Sequence, residues 1–247
     1  MVDNTFSRLG IRRLLAEGLV VVASILIAFS LDAWWDDRQL AEEMAEDLAI
    51  VEYELTENLR LVELALEITG RVVSASDEIV ATLNANPDNP EVAIAGNILY
   101  WGLFASPTLD PSFGGIDTWI AAGRLAGIES IELRQRLASI RGKVSDVTEE
   151  QYVTRDMLTR DIYPLIRDQI GDIEAVRELV ASGYHARYGS SIQEIPDVGT
   201  ISVPNSDALR FTLQARALWY EANSQEMLDF RQELEAIQSL VQEEKNN

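Results

Sequence analysis

The chain has no cysteine and a single histidine among its 247 residues. Without thiols there can be no disulfide, zinc ribbon or thiol nucleophile. The one histidine, His185, sits in the loop-like run Gly183-Tyr184-His185-Ala186-Arg187-Tyr188 and reads as a solvent-facing loop residue. Paired carboxylates such as Glu42 and Glu46 have helical spacing, but a di-iron bundle also needs Glu-x-x-His motifs, and none is present. Also missing are a phosphate-binding glycine loop, a nucleophile elbow and a dinucleotide fingerprint. Gly114-Gly115 after Phe113 reads as a tight turn. The sequence therefore offers no catalytic residue, no metal ligand and no cofactor site. Basic residues are scarce as well: 20 Lys and Arg stand against 41 Asp and Glu, a formal net charge of −21. That field opposes binding to nucleic acid or to an anionic lipid surface through the body of the protein.

What the chain does have is an apolar run near its start. Arg8, Arg12 and Arg13 precede Gly18–Leu31, and Asp32, Trp34, Trp35, Asp36 and Asp37 follow it. From Ile11 to Trp35 the helical length meets the ~20 residues that ~30 Å of hydrocarbon requires. Arginines before the span favour a cytoplasmic N-terminus, and tryptophans settle at interfaces. The expected division is a cytoplasmic N-terminus over 1–13, a transmembrane anchor over 14–35 and an extracytoplasmic helical domain over 36–247. Arg12, Arg13, Trp34 and Trp35 are the interfacial anchors. Two other readings stay open: a cleaved signal peptide with Ala28-Phe29-Ser30 as the small-x-small site, and a buried core helix. Glu17 lies inside the span, where it either pairs with Arg13 one turn earlier or meets another membrane helix. Ser24 and Ala28, four apart, form a small-residue step that would let a second helix approach.

Downstream the pattern is helical almost throughout. Met44, Leu48, Val51, Leu55, Leu59, Val62 and Leu66 are spaced 4-3-4-4-3-4, which predicts one seam on an eleven-residue repeat. Eleven acidic residues between Asp36 and Thr69, against Arg38 and Arg60, make the opposite face a solvated stripe. The seam is expected to be intramolecular core, with Gly70 as the first stop. Asn86-Pro87-Asp88-Asn89-Pro90 is a loop, as is Ser106–Gly115. A short helix is expected around Ile116–Leu125. Ser130 caps the next helix, whose seam is Leu133, Leu137, Ile140, Val144 and Val147, and Pro164 kinks or ends it. A further helix is expected from Asp172 to Ala181. Residues 183–205 are an ordered loop with a small β-hairpin expected near 191–203. Ser206 caps a last long helix with Leu209, Leu213, Tyr220, Met227, Leu234, Ile237 and Val241 inward. The fold class is all-α: the anchor continues into an antiparallel bundle of long helices, with shorter helices at one end. Trp101, Trp119 and Trp219 are expected in the core.

Several of these stretches resemble a family of uncharacterised bacterial membrane proteins. Glu17-Gly18, Ile25-Leu26-Ile27-Ala28 and Trp34 or Trp35 are similar to that family's anchor. Phe113–Leu125, followed by Glu132-Leu133-Arg134, is similar to its aromatic turn, short helix and Glu-Leu-Arg helix start. Ala122 stands where the family has Ser. The resemblance implies an anchored helical domain and carries no catalytic role.

Arg134, Arg136, Arg141 and Lys143 form the one local basic cluster, read either as internal pairing with the acidic stalk or as a candidate partner surface. The function expected is protein–protein interaction, as an accessory subunit of a larger complex. On this reading the protein sits in the bacterial inner membrane with its C-terminal domain in the periplasm, and its partners are the bilayer through 14–35 and a second membrane protein. A periplasmic ligand-binding or sensory module is the alternative, and an enzyme the third.

Overall fold

The computed structural model describes residues 5–169, 174, 176–181 and 199–246, and of these the side chains from 17 onward except 150, 168 and 169. The chain divides into two compact units, residues 1–50 and 51–247. One helix, α1 (Thr5–Ala85), contributes to both. It can run so far because no proline occurs before Pro87. Over its apolar run in the first unit the side chains are not covered: Leu19, Ile27, Phe29 and Leu31 are each about two-thirds exposed or more, whereas Leu48, near the unit's end, is buried. By length and composition this stretch could cross a membrane, and none of its most apolar window is buried.

The second unit is a helical bundle. Helix α1 does not stop at Gly70. A glycine inside a helix costs ~1 kcal/mol relative to alanine, but Ile68, Thr69 and Val72 around it are buried, so packing carries the helix through. The stop comes at Asn86. Its side chain donates to Thr82 O (2.9 Å), while Asn205 donates to Leu83 O (3.3 Å) and Asn86 O (2.6 Å). These bonds satisfy carbonyls that a helix C-terminus leaves open.

The seam also differs from the eleven-residue pattern. With Ile68, Ala75 and Val80 buried at its flank, the most deeply buried positions of α1 in the second unit are Val51, Leu55, Asn58, Val62, Ala65, Thr69, Val72, Ser76, Ile79 and Leu83. They follow a strict 4-3 alternation, the heptad spacing. Leu59 and Leu66 sit beside this line, half-buried.

After Ala85 come strand β1 (Glu91–Ala95), a short helix α2 (Gly96–Leu99) and a π-helical turn, Tyr100–Phe104. Strand β2 (Thr200–Pro204) pairs antiparallel with β1, setting Val92 opposite Val203 and Ile94 opposite Ile201 on the buried face. The small β-element expected as a hairpin near 191–203 is present as a two-stranded antiparallel sheet, but only one strand, 200–204, comes from that region, and its partner lies more than a hundred residues away in sequence. Residues 191–198 lie outside the described set, as does His185.

Residues 105–113 form a strap that returns along α1. Ser76 Oγ donates to Gly102 O (3.4 Å), and Asn58 meets Ser112. Eighteen helical residues cover ~27 Å, and the ten-residue step from Gly102 to Ser112 spans at most ~33–36 Å. The strap must therefore run extended, which suits Pro107 and Pro111. Close approach at its start requires Gly102: a Cβ there would lie 2.5 Å from Ile79 Cδ1. Because Ile79 is fully buried, Gly102→Ala should cost ~1–3 kcal/mol by overpacking. Chemical denaturation would read this as a lowered midpoint with an unchanged slope.

Helix α3 (Gly114–Ala121) follows and ends at Gly123, whose φ of 71° only glycine adopts without strain. A 3₁₀ turn, Arg124–Gly127, leads to α4 (Ile131–Met157), whose cap is Ser130 accepting from Leu133 N (3.2 Å). A second π-helical turn, Leu158–Ile162, joins α4 to α5 (Tyr163–Gln169). The wider turn accommodates Pro164, which lacks an N–H for a continuing α-helix. Helical residues 176–181 (α6) bring Leu179 into the core. Helix α7 (Asp207–Lys245) starts at Ser206, which accepts from Leu209 N (3.2 Å).

Arg136–Glu233 and Asn223–Val147 set α7 antiparallel to α4. Gln238–Thr56 and Asn205–Leu83 set it antiparallel to the 51–85 part of α1. Its buried line runs Leu209, Leu213, Arg216, Tyr220, Asn223, Met227, Phe230, Leu234, Ile237 and Val241, again in strict 4-3 alternation.

Candidate functional site

The polar residues that interrupt these apolar seams converge on one feature. Asn58 (1 % exposed) donates to Ser112 O (2.8 Å) and accepts from Ser112 N (2.9 Å). Glu54 accepts from Gly115 N (2.6 Å) and Ile116 N (3.1 Å), placing a carboxylate on the open N–H groups that start α3. Gln151 on α4 accepts from Leu109 N (3.0 Å). Tyr220 and Ser106 join hydroxyls at 3.3 Å. Arg216 donates from Nη2 to Ala105 O. Side chains from α1, α4 and α7 thus hold the strap in register. The strap's own backbone cannot do this, because an extended segment lying on a helix has no ladder partner.

Arg216 stands apart from the other members of this set. It is fully buried, with its Cζ 4.8 Å from the Tyr220 ring centroid. Its Nε and Nη1 are buried and lack a hydrogen-bond partner, and no ion pair to it occurs among the described residues. Burial pulls its pKa below the ordinary arginine value, while Tyr220 and Tyr163 oppose that shift. A guanidinium nevertheless stays protonated at neutral pH, so a positive charge sits inside the core. Ala105, which accepts from it, closes the first π-helical turn through Ala105 N to Tyr100 O (2.9 Å), and the two π-helical turns are in contact. Such turns recur at functional sites. Nearby, an open cleft between the second π-helical turn, α5 and α7 is lined by Arg160, Pro164, Leu165, Phe211, Thr212 and Ala215.

The basic cluster is partly used inside the fold. Arg136 bonds Glu132 (2.9 Å) and Glu233 (2.6 Å), which raises its pKa, Glu132 contributing most. Arg141 grips both carboxylate oxygens of Asp117 and lies over the Phe113 ring at 5.6 Å. The hydrogen bond from Arg141 holds the Asp117 carboxyl below its usual range, against the effect of burial. The bonded partners come from α4 itself, α7 and α3, and of the acidic stalk Glu54 adds a coulombic attraction to Arg141. Arg134 is half-buried and Lys143 exposed.

In the first unit Glu17 and Ala28 are exposed, and Ser24 Oγ donates back to Val20 O (2.8 Å). Trp34 and Trp35 are more than half exposed, with Arg38 5.9 Å from the Trp34 ring. The side chains of Arg12 and Arg13 lie outside the described set. Trp101 and Trp119 are in the core as expected, but Trp219 is 40 % exposed. It joins Phe211 and Leu218 on the outer face of α7, because the inward line at that level passes through Arg216 and Tyr220.

No family model, no curated protein and no solved structure matches the chain. Among the described residues, no group of three or more His, Asp or Glu side chains is placed to hold a metal ion.

Proposed function

We propose that this is a bacterial inner-membrane protein that acts by protein–protein interaction, anchored by residues 14–35 and carrying its helical bundle in the periplasm. The observation that carries the reading is the uncovered apolar stretch of α1, whose most apolar window has none of its residues buried. A soluble core helix of that composition would be covered. Arginines before the stretch and Asp32, Asp36 and Asp37 after it support a cytoplasmic N-terminus. Glu17, Ser24 and Ala28 offer one helix face to a membrane partner. In the bundle, Phe211, Leu218 and Trp219 give α7 an outward apolar face of the kind that marks interaction surfaces. The resemblance of Phe113–Leu125 and of the anchor to uncharacterised bacterial membrane proteins agrees with this reading. No catalytic role is proposed.

A periplasm-dependent reporter enzyme fused after Asn247 should be active, and purification in mild detergent should bring down a membrane protein in fixed stoichiometry. Activity only from a cytoplasm-restricted reporter would reverse the topology. A chain that purifies alone, without loss of the partner's own stability in its absence, would remove the accessory-subunit role. The second reading, a ligand-binding module, is favoured by one observation, the unsatisfied charge of Arg216.

A further inference from the structure

We infer that Arg216 is the binding site of a small monovalent anion, of halide, nitrate or formate size, held inside the bundle against the first π-helical turn. A guanidinium keeps its proton at neutral pH, and taking it out of water costs several kcal/mol unless a counter-charge is supplied. Arg216 is fully buried, yet the groups recorded around it are neutral: the Ala105 carbonyl, the Tyr220 ring and the Tyr163 hydroxyl. Nη2 donates to Ala105 O and Tyr220 supplies a further side-chain hydrogen bond, but Nε and Nη1 are left with N–H groups and nothing to receive them. A buried polar atom without a partner calls for an unseen group, and one anion would answer both the charge and the donors.

The surroundings set the charge of that anion. Arg216, Tyr220 and Ser106 are each at most 6 % exposed, so the ion must shed its water to enter. Desolvation is far costlier for sulfate or phosphate than for a monovalent ion, because the hydration cost grows steeply with charge. The chain's charge of −21 works against anions collecting at its surface, so binding at this arginine would stand out from non-specific effects.

Sequence reasoning can find the position, though not the ligand. Arg216 falls on the 4-3 line between Leu213 and Tyr220, a place where charged residues are almost never buried unless paired.

The test uses the full chain in detergent micelles, with bromide or nitrate replacing gluconate at constant ionic strength. Thermal unfolding of the native chain should shift upward by roughly 2–4 °C and saturate, as expected for a ligand bound only by the folded state. Arg216→Met should lose that response while remaining folded. Crystals soaked in bromide should show an anomalous peak within hydrogen-bond distance of Arg216 Nε or Nη1, and this reading stands even if the variant does not fold. An unresponsive native chain, an equal shift in Arg216→Met, or bromide peaks only away from Arg216 would each overturn the proposal.

Discussion

Leu55→Ala should lower the stability of the bundle by ~2–5 kcal/mol, whereas Leu59→Ala, four residues on, should cost only about 1 kcal/mol. The two leucines look equivalent in sequence, each three or four residues from the next apolar position. In the fold Leu55 is fully buried, while Leu59 is half-buried beside Asn58, which takes the seam position. Deleting Leu55 leaves a cavity in a fully buried position that close packing cannot refill without moving a helix. Urea titrations of the two variants give the ratio directly. Equal losses would put the seam back on the eleven-residue repeat and contradict the heptad line.

The second large effect concerns Asn58 itself. An apolar seam would gain from Asn58→Leu, since the residue is 1 % exposed and surrounded by core. The expected result is the opposite, a loss of ~1–3 kcal/mol. The substitution removes two hydrogen bonds and strands the Ser112 N–H and C=O that they satisfied. The damage should be local as well as global: the Ser112 amide should exchange faster with solvent, while amides in α7 slow or quicken only with overall stability. A stabilised variant with unchanged exchange at Ser112 would mean that the strap does not depend on this tie.

These two residues also mark how far the sequence could be read. The starts of α4 and α7 with their caps at Ser130 and Ser206, the loop at 86–90 and most of the inward residues of α7 follow from periodicity and local chemistry and are found. By contrast, α1 runs past the stop expected at Gly70, and the short helix expected to Leu125 ends at Ala121. The seam of α1 was misplaced after Leu55 because an apolar count passes over Asn58, Thr69 and Ser76, and their burial depends on partners distant in sequence. The same blindness hid Arg216, Asn223 and the strap's anchoring residues. Glu54 and Asn58 bond groups 54 to 62 residues away, a separation that no window of a dozen residues contains. Strand β1 was missed for a related reason: Val92 and Ile94 acquire a sheet only through Val203 and Ile201. The basic cluster was visible, but its internal partners Glu233 and Asp117 belong to helices whose placement is tertiary information.

The central claim is that one helix is bare and apolar over residues 18–31 and core-forming over 51–85. Alkaline extraction of membranes tests it most directly, comparing the native chain with one carrying Ile25→Arg and Phe29→Arg together. Each arginine near the middle of a span opposes insertion by ~2.5–3.5 kcal/mol. The native chain should stay with the membrane. The double variant should move to the soluble fraction with its helix content and cooperative melting intact. Release of the native chain by alkali, or a double variant that no longer melts cooperatively, would make this stretch part of a soluble core and contradict the account.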